Sequence, residues 1–289
     1  MINIISKAII PVAGHGTRLY PYTKIINKEF SPVIHNNMLK PQIAVLLENV
    51  YDAGIKDICL CVSSQKQINM YKKFFIQKLD YIGCIEDNRE IINYERKMKE
   101  IGKCLHFIIN KNVDRGFGYS VSLFKEYANN EPVILLLGDT VYKTLDSKKD
   151  CITQLKNTFE KINKPVIGVS KIDLSIANKY GICKGKFINK DIMKINGFIE
   201  KPSIEYIKKN MLIEKNGEKY CYKVFGNYVL TSVIFDKLNE LLKTNKGEAQ
   251  LSEALNYVSK EDELYGIEIT GTTLDFGNIE SYAKNFTHV

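Results

Sequence analysis

The sequence lacks the features of a membrane or secreted protein. No stretch of its 289 residues approaches the roughly 18 consecutive apolar residues that a membrane-spanning helix needs. Residues 1–6 are too short for a secretory signal peptide, and Lys7 stands where its apolar segment would have to continue. We therefore expect a cytoplasmic protein with no membrane partner. Its 45% of hydrophobic residues are enough for a full core.

The cysteines and histidines follow no disulfide or zinc pattern. The seven cysteines are odd in number, include no C-x-x-C pair and lie mostly in apolar runs. That distribution is typical of reduced core residues. The four histidines are not spaced as ligands near cysteines, so we do not expect a zinc site.

The net charge of +8 permits two interpretations. One is nucleic-acid binding, but lysines are spread over nearly every segment and no basic block is interleaved with aromatic residues. The other is a small polyanionic substrate, which a positive field also attracts. We predict no nucleic-acid partner.

Apolar strands alternate with amphipathic helices in the first half of the chain. The predicted strands there cover residues 8–13, 56–62, 104–109 and 132–137. The predicted helices cover residues 41–54, 63–80, 81–103 and 118–129. This order predicts an α/β protein with an open, largely parallel sheet and helices on its faces. The second half is mixed, with predicted strands at 165–170, 179–187, 192–199, 220–231 and 264–270 and helices beginning at residues 232, 251 and 278.

Two glycines after the first strand suggest an anion-binding loop. Gly14 and Gly16 allow close backbone approach to a ligand, and Arg18 can grip phosphate oxygens. Lys24 and Lys28 follow closely enough to fold back over a phosphate. A tight turn with an incidental arginine also fits, because the spacing matches neither the Walker nor the dinucleotide-binding pattern.

Polar residues follow other predicted strands at the same edge of the sheet. Asp139 ends the most apolar strand and suits Mg²⁺ if it faces phosphates, although it also suits an ordinary turn. Gly116 reaches the same edge. Glu200 and Lys201 suit sugar hydroxyls and a phosphate, or form an exposed pair. Asp275 is either a second metal ligand or a helix-capping residue.

Ten motifs occur in order along almost the whole chain. They are KAIIPVAGHGTRLYP, TK-x-x-x-KE-x-x-P, AGIKDI, RGFG, LLGD, YGI, IEKP, FGNYVLT, GEAQLSEAL and DFGN. Together they resemble the sugar-phosphate nucleotidylyltransferase family, most closely its bacterial UTP–glucose-1-phosphate uridylyltransferase group. The resemblance implies a Rossmann-like three-layer α/β/α sandwich with a mixed, mostly parallel central sheet and a small sugar-side β extension.

The resemblance also implies an activity. One domain over residues 1–289 would bind nucleotide mainly through residues 1–140 and sugar phosphate mainly through residues 141–289. Glucose 1-phosphate would attack the α-phosphate of UTP in line, with Mg²⁺, to give UDP-glucose and pyrophosphate. The nucleophile is already anionic and Mg²⁺ neutralises the leaving group, so catalysis needs positioning and charge stabilisation rather than a general base. The family tends to form homodimers or homotetramers.

The resemblance carries residue roles to matching positions. It assigns nucleotide binding to Ala13, Gly14, Gly16, Thr17, Arg18, Lys28, Lys111 and Gly116. Sugar-phosphate binding falls to Tyr180, Gly181, Glu200, Lys201 and Asn227. The resemblance assigns magnesium binding to Asp139 and Asp275, and catalytic roles to Arg18, Lys28, Asp139 and Lys201.

Two of these positions depart from the family pattern. Lys111 stands where a base-reading glutamine is usual, and Asn227 stands where many relatives have arginine. Another base, as in dTTP, or another hexose 1-phosphate is therefore an alternative. A catalytically idle regulator that binds nucleotide sugars is a further alternative.

Overall fold

The strands and helices lie close to where the apolar pattern predicts them. The computed structural model describes residues 4–77, 88–145, 149–244, 249–261 and 264–286. The predicted end of the second helix at residue 80 and the start of the segment 81–103 lie outside the described residues. The strands are β1 (Lys7–Pro11), β2 (Pro32–His35), β3 (Met38–Pro41), β4 (Asp57–Val62), β5 (Leu105–Ile109), β6 (Val133–Leu136), β7 (Thr140–Thr144), β8 (Val166–Ile172), β9 (Gly181–Phe187), β10 (Ile192–Glu200), β11 (Ile213–Lys215), β12 (Glu218–Leu230), β13 (Tyr265–Glu268) and β14 (Gly271–Asp275). The helices are α1 (Gln42–Asp52), α2 (Gln65–Phe75), α3 (Arg89–Lys103), α4 (Phe117–Ser122), α5 (Lys125–Ala128), α6 (Cys151–Ile162), α7 (Ile204–Asn210), α8 (Ser232–Thr244), α9 (Leu251–Lys260) and α10 (Ile279–Asn285).

The central sheet runs in the order β5-β4-β1-β6-β12-β8-β13-β10-β9, and β11 pairs with β12. The first four strands in this order are parallel to one another, and β13 is parallel to β8. Strands β12 and β10 run antiparallel to their neighbours. The predicted parallel arrangement of the first half is confirmed, and the second half makes the whole sheet mixed.

Helices cover both faces of this sheet. Successive side chains of a strand point to opposite faces, so Ala8 and Ile10 pack in one core with α1, α2, α3 and α6. Ile9, between them, packs in a second core with α4, α5, α8 and α9. Burial on both faces explains why the strands are continuous apolar runs in the sequence. The result is the three-layer α/β/α sandwich that the resemblance implies.

The sheet order reverses beside β1. Strand β4, the next strand of this sheet along the chain, lies on one side of β1, and β6 lies on the other. In open α/β sheets, ligands bind outside the carboxyl ends of the strands at such a switch point. The segments that follow β1 and β6 therefore meet where a ligand is expected.

Several elements were not predicted from the sequence. They are the β2–β3 hairpin, the β7–β14 ribbon, helices α6 and α7, and strand β11. The helix predicted over residues 118–129 is divided into α4 and α5. Ser122 ends α4, and its hydroxyl donates to the Tyr119 carbonyl at 2.8 Å, a local bond that competes with helix continuation. In the described part of the chain, no helix is long and apolar enough to cross a bilayer.

Candidate active site

A cleft of about 980 Å³ opens at the carboxyl ends of β1 and β6. It extends from the loop after β1 to the end of β10 and the start of α9. The predicted site residues that line it are Ala13, Gly14, Arg18, Lys28, Gly116, Asp139, Glu200 and Lys201. The fold therefore brings predicted residues from both halves of the chain to one cleft.

The loop after β1 needs its glycines. Gly16 has a φ of 67°, in the left-handed region, and its carbonyl accepts a bond from the Thr23 hydroxyl at 3.0 Å. A Cβ on Gly16 would lie 2.9 Å from Thr23 Cγ2, so no side chain fits there. Gly14 is exposed to the cleft, and Lys28 Nζ lies 3.8 Å from where its Cβ would be. Thr17 is exposed, and neither Thr17 nor Gly16 lines the cleft.

Two aspartates meet beside Lys28. Lys28 Nζ donates to Asp139 Oδ2 at 2.6 Å. Strand β14 pairs with β7 so that Asp275 lies opposite Thr140, next to Asp139. A Cβ placed on Gly277 would lie 3.0 Å from Asp139 Oδ2 and 3.0 Å from Asp275 Oδ1, so the two carboxylates face the same small space.

This donor set fits Mg²⁺ better than a transition metal. Mg²⁺ is commonly held by one or two carboxylates, with waters and substrate phosphates as the other ligands. Among the residues described, no group of three or more His, Cys, Asp or Glu could hold a metal by itself. The pair Asp139 and Asp275 therefore suits a cation that arrives with a phosphate.

A buried network supports the loop and Lys28 from behind. Gln67 Nε2 donates to Glu29 Oε1 at 2.5 Å and to the Val12 carbonyl at 2.8 Å. Gln67 Oε1 accepts from the Ser63 backbone N–H at 2.7 Å. Glu29 is fully buried, and burial raises its pKa to about 7, against the opposing effect of hydrogen bonds from its own backbone and Gln67. This network ties the residues on either side of the loop after β1 to α2.

We expect Glu29→Gln to change how stability depends on pH. The Glu29 pKa is about 7 in the folded chain against 4.5 as the ordinary value. The unfolded chain therefore loses this proton first, and the free energy of unfolding falls as pH rises from about 4.5 to about 7. Glutamine keeps the acceptor for Gln67 and removes the ionisation. The variant should gain on the order of 3 kcal/mol over wild type across that window.

Urea unfolding midpoints at pH 5, 6, 7 and 8 measure this difference. Glu131→Gln, at an exposed carboxylate, is the control and should give a curve nearly parallel to wild type. Parallel curves for Glu29→Gln and wild type would contradict the raised pKa.

The end of β10 forms the far end of the cleft, with strand β9 paired beside it. Gly181 pairs with Glu200, and a Cβ on Gly181 would lie 2.8 Å from Glu200 Oε2 and 2.7 Å from the Phe198 ring. The missing side chain thus leaves room for the Glu200 carboxylate. Desolvation by the surrounding protein raises the Glu200 pKa, and Lys201 opposes that shift. The Lys201 N–H donates to the Tyr180 carbonyl at 3.1 Å.

Besides Gly16 and Thr17, five predicted residues do not line the cleft: Lys111, Tyr180, Gly181, Asn227 and Asp275. Asn227 is fully buried and pairs with Leu136 in the sheet, with its amide 3.4 Å from the Cys151 carbonyl of α6. Its predicted contact with the sugar phosphate is therefore not supported, because its strand position turns it towards α6 while the next residue, Tyr228, faces the cleft. Lys111 is exposed and does not line the cleft, so its predicted nucleotide contact is not supported.

The start of α9 supplies lining residues to which the sequence analysis gave no role. Gln250 caps this helix in a capping box with Glu253. A Cβ on Gly116 would lie 3.0 Å from Gln250 Nε2, so this amide lies against the predicted nucleotide glycine. Ser252 and Asn256 also line the cleft. The sequence did mark this segment, because GEAQLSEAL is one of the ten ordered motifs.

The motif order, the fold and the cleft agree with a comparison against protein families. The model of the nucleotidyl transferase family matches residues 7–289. The chain belongs to the nucleotidyl transferase family. Its members have the Rossmann-like fold described above.

Curated relatives cover nearly the whole chain. UTP–glucose-1-phosphate uridylyltransferase from Mycoplasma genitalium is 31% identical over 97% of this chain and 90% of that protein. UTP–glucose-1-phosphate uridylyltransferase 2 from Staphylococcus saprophyticus is 30% identical over 97% of this chain and 90% of that protein. The chain is thus similar to these two transferases over nearly its whole length.

A solved structure shows the same fold. A UDP-glucose pyrophosphorylase crystallised with UDP-glucose superposes with a TM-score of 0.79 at 24% sequence identity. The match covers 97% of each chain. At this identity the likeness establishes the fold.

Proposed function

We propose that this nucleotidyl transferase forms UDP-glucose and pyrophosphate from UTP and glucose 1-phosphate. The observation that carries the proposal is one cleft lined by Arg18, Lys28 and Asp139 at one end and by Glu200 and Lys201 at the other. A triphosphate and a sugar phosphate need such an arrangement of cations around a carboxylate pair. The similarity to two uridylyltransferases supports this choice of substrates.

The proposed chemistry uses position and charge. A phosphate oxygen of the sugar phosphate is the nucleophile and is already anionic at neutral pH. Arg18 and Lys28 would hold the triphosphate, and Lys201 would hold the sugar phosphate in line with the α-phosphate. Fixed cations that face developing negative charge lower the barrier without a proton transfer.

Asp139 and Asp275 are the proposed magnesium ligands. Mg²⁺, when bound, would neutralise charge on the phosphates and on the leaving pyrophosphate. Lys28 would hold Asp139 in orientation through their 2.6 Å contact. Gly277, by lacking a side chain, leaves the space that both carboxylates face.

The remaining residues would orient the two substrates. Ala13, Gly14 and Gly116 offer backbone next to the base and ribose, with Gly16 and Thr17 shaping the loop. Glu200, beside Gly181, would accept bonds from sugar hydroxyls. Residues 1–140 would thus bind mainly nucleotide and residues 141–289 mainly sugar phosphate.

A pyrophosphate-release assay tests the proposal. Purified protein with Mg²⁺ and glucose 1-phosphate receives UTP, dTTP, CTP, ATP or GTP separately, and we expect release with UTP. Because Lys111 does not line the cleft, a second candidate is a base pocket loose enough to accept dTTP as well. No release with any nucleotide across a panel of sugar 1-phosphates would contradict the proposal and favour an idle nucleotide-sugar-binding regulator.

We also propose that the protein acts in the cytoplasm as a homodimer or homotetramer. The family resemblance carries this proposal, and the exposed apolar side chains of Ile25, Leu39 and Ile279 are candidate contact residues. Sedimentation of the purified chain would give the number of copies.

A further inference from the structure

Lys223 is a partly buried lysine that the sequence analysis did not single out. It lies in β12, and its Nζ donates to the Thr273 hydroxyl at 3.2 Å. The same Nζ lies 4.6 Å from the centre of the Tyr180 ring. The ammonium group is thus held in place by a hydroxyl and an aromatic face.

The surroundings of Lys223 connect the two ends of the proposed site. Thr273 and Asp275 are two residues apart in β14, so their side chains lie on the same face of that strand. Asp275 in turn converges with Asp139 at Gly277. The backbone carbonyl of Tyr180 accepts the Lys201 N–H. Lys223 therefore adjoins both the carboxylate pair and the segment that carries Lys201.

Lys223 lacks the counter-charge that several other partly buried lysines have. Three lysines with little exposed side chain each contact a carboxylate: Lys28 with Asp139, Lys40 with Glu48 and Lys215 with Glu268. Within the described ranges, no carboxylate oxygen lies within 4.0 Å of Lys223 Nζ. Burial lowers the Lys223 pKa, and the more distant Asp275 opposes this shift.

A cation that is partly withdrawn from water without a counter-charge costs free energy. An incoming anion that pairs with the cation offsets this cost. Arg18 and Lys28 follow β1 and lie at the nucleotide end of the cleft. Lys223 instead lies over the ring of Tyr180, whose backbone carbonyl accepts a hydrogen bond from the Lys201 N–H. In the proposed function, the anion placed beside Lys201 is the phosphate of the sugar substrate.

We propose that Lys223 binds the phosphate of the sugar 1-phosphate together with Lys201. This inference rests on the proposed function, since it assigns a second cation to the same sugar-phosphate site. Two lysines on different strands would fix the phosphate from two directions and so orient its attacking oxygen.

Lys223→Met is the test variant because methionine keeps the length of the side chain and removes its charge. The removal of an unpaired, partly buried charge should leave the urea midpoint equal to or above that of wild type. Lys171→Met is the matched control, since Lys171 is an exposed strand lysine whose Nζ also lies over a tyrosine ring, that of Tyr220.

Steady-state kinetics separates the two substrates. We expect Lys223→Met to raise the KM for glucose 1-phosphate at least tenfold, with the KM for UTP within twofold of wild type, and Lys223→Arg to recover part of the loss. Lys171→Met should resemble wild type. An unchanged KM for glucose 1-phosphate, or a rise confined to UTP, would overturn the role of Lys223 while leaving the proposed function intact.

Calorimetric titration decides the question without turnover. Wild type and Lys223→Met are titrated with glucose 1-phosphate, galactose 1-phosphate and N-acetylglucosamine 1-phosphate. We expect at least one to bind wild type and to bind the variant tenfold or more weakly. Equal binding to both proteins overturns the role of Lys223, and no binding to wild type overturns it together with the proposed function.

Discussion

Asp139→Asn is expected to lower kcat by about 10³-fold, because removal of one group that stabilises transition-state charge typically costs about 10²–10³-fold and a metal ligand is lost as well. The asparagine side chain would retain the shape of the aspartate and one of its oxygens. It would lose the charge that faces Asp275 and the ion pair with Lys28. The measurement is initial-rate pyrophosphate release with UTP and glucose 1-phosphate over a range of Mg²⁺ concentrations.

The Mg²⁺ dependence distinguishes a lost ligand from a disturbed fold. Asp139→Asn should need more Mg²⁺ for its half-maximal rate, and Asp275→Asn should shift that concentration in the same direction. Asp236→Asn is the control, because Asp236 forms an exposed ion pair with Lys125 and lies outside the lining of the cleft. Near-normal turnover by Asp139→Asn would exclude it as a metal ligand.

Lys201→Gly is expected to lower kcat/KM for glucose 1-phosphate by about 10²-fold or more, because it removes a cation from the phosphate that must attack. Lys201 has a φ of 47°, in the left-handed region where a side chain is unfavourable. Glycine relieves that strain, so the variant should be at least as stable as wild type.

Comparison with Lys201→Ala separates the effect of the lost charge on activity from the effect of the backbone conformation on stability. Alanine removes the same charge but keeps a Cβ at the positive φ, so both variants should lose similar activity while only glycine gains stability. Lys190→Ala, at an exposed lysine between β9 and β10, should retain wild-type kinetics. If Lys201→Gly kept its kcat/KM for glucose 1-phosphate, Lys201 would have no part in binding the sugar phosphate.

The sequence was informative where local chemistry decides the structure. An apolar run that ends in Gly14-His15-Gly16 predicts a buried strand followed by a tight loop, since burial and left-handed backbone are properties of single residues. The apolar run before Asp139 likewise predicts a buried strand followed by a turn. Helix α4 shows where prediction from local spacing stops being reliable. The apolar spacing continues to residue 129, but α4 ends at Ser122, whose hydroxyl bonds to a backbone carbonyl.

The sequence failed where side-chain direction depends on pairing. Asn227 lies in a recognisable motif, yet its pairing with Leu136 turns it towards α6. Strand β12 has a register shift between Val224 and Tyr228, with Gly226 at a φ of 96°, which no count along the sequence could locate. A shift of one residue moves every later side chain to the other face.

By itself the sequence determined the α/β class, the family, the loop that follows β1 and the carboxylate that follows β6. Only the tertiary structure decided that Asp275 meets Asp139 at Gly277, that Gln67 connects the loop to Glu29, and that Lys223 adjoins Tyr180. The physical reason is that propensity and burial act within a few residues of each other. These contacts join distant strands and helices, and sheet order and register determine which of them meet.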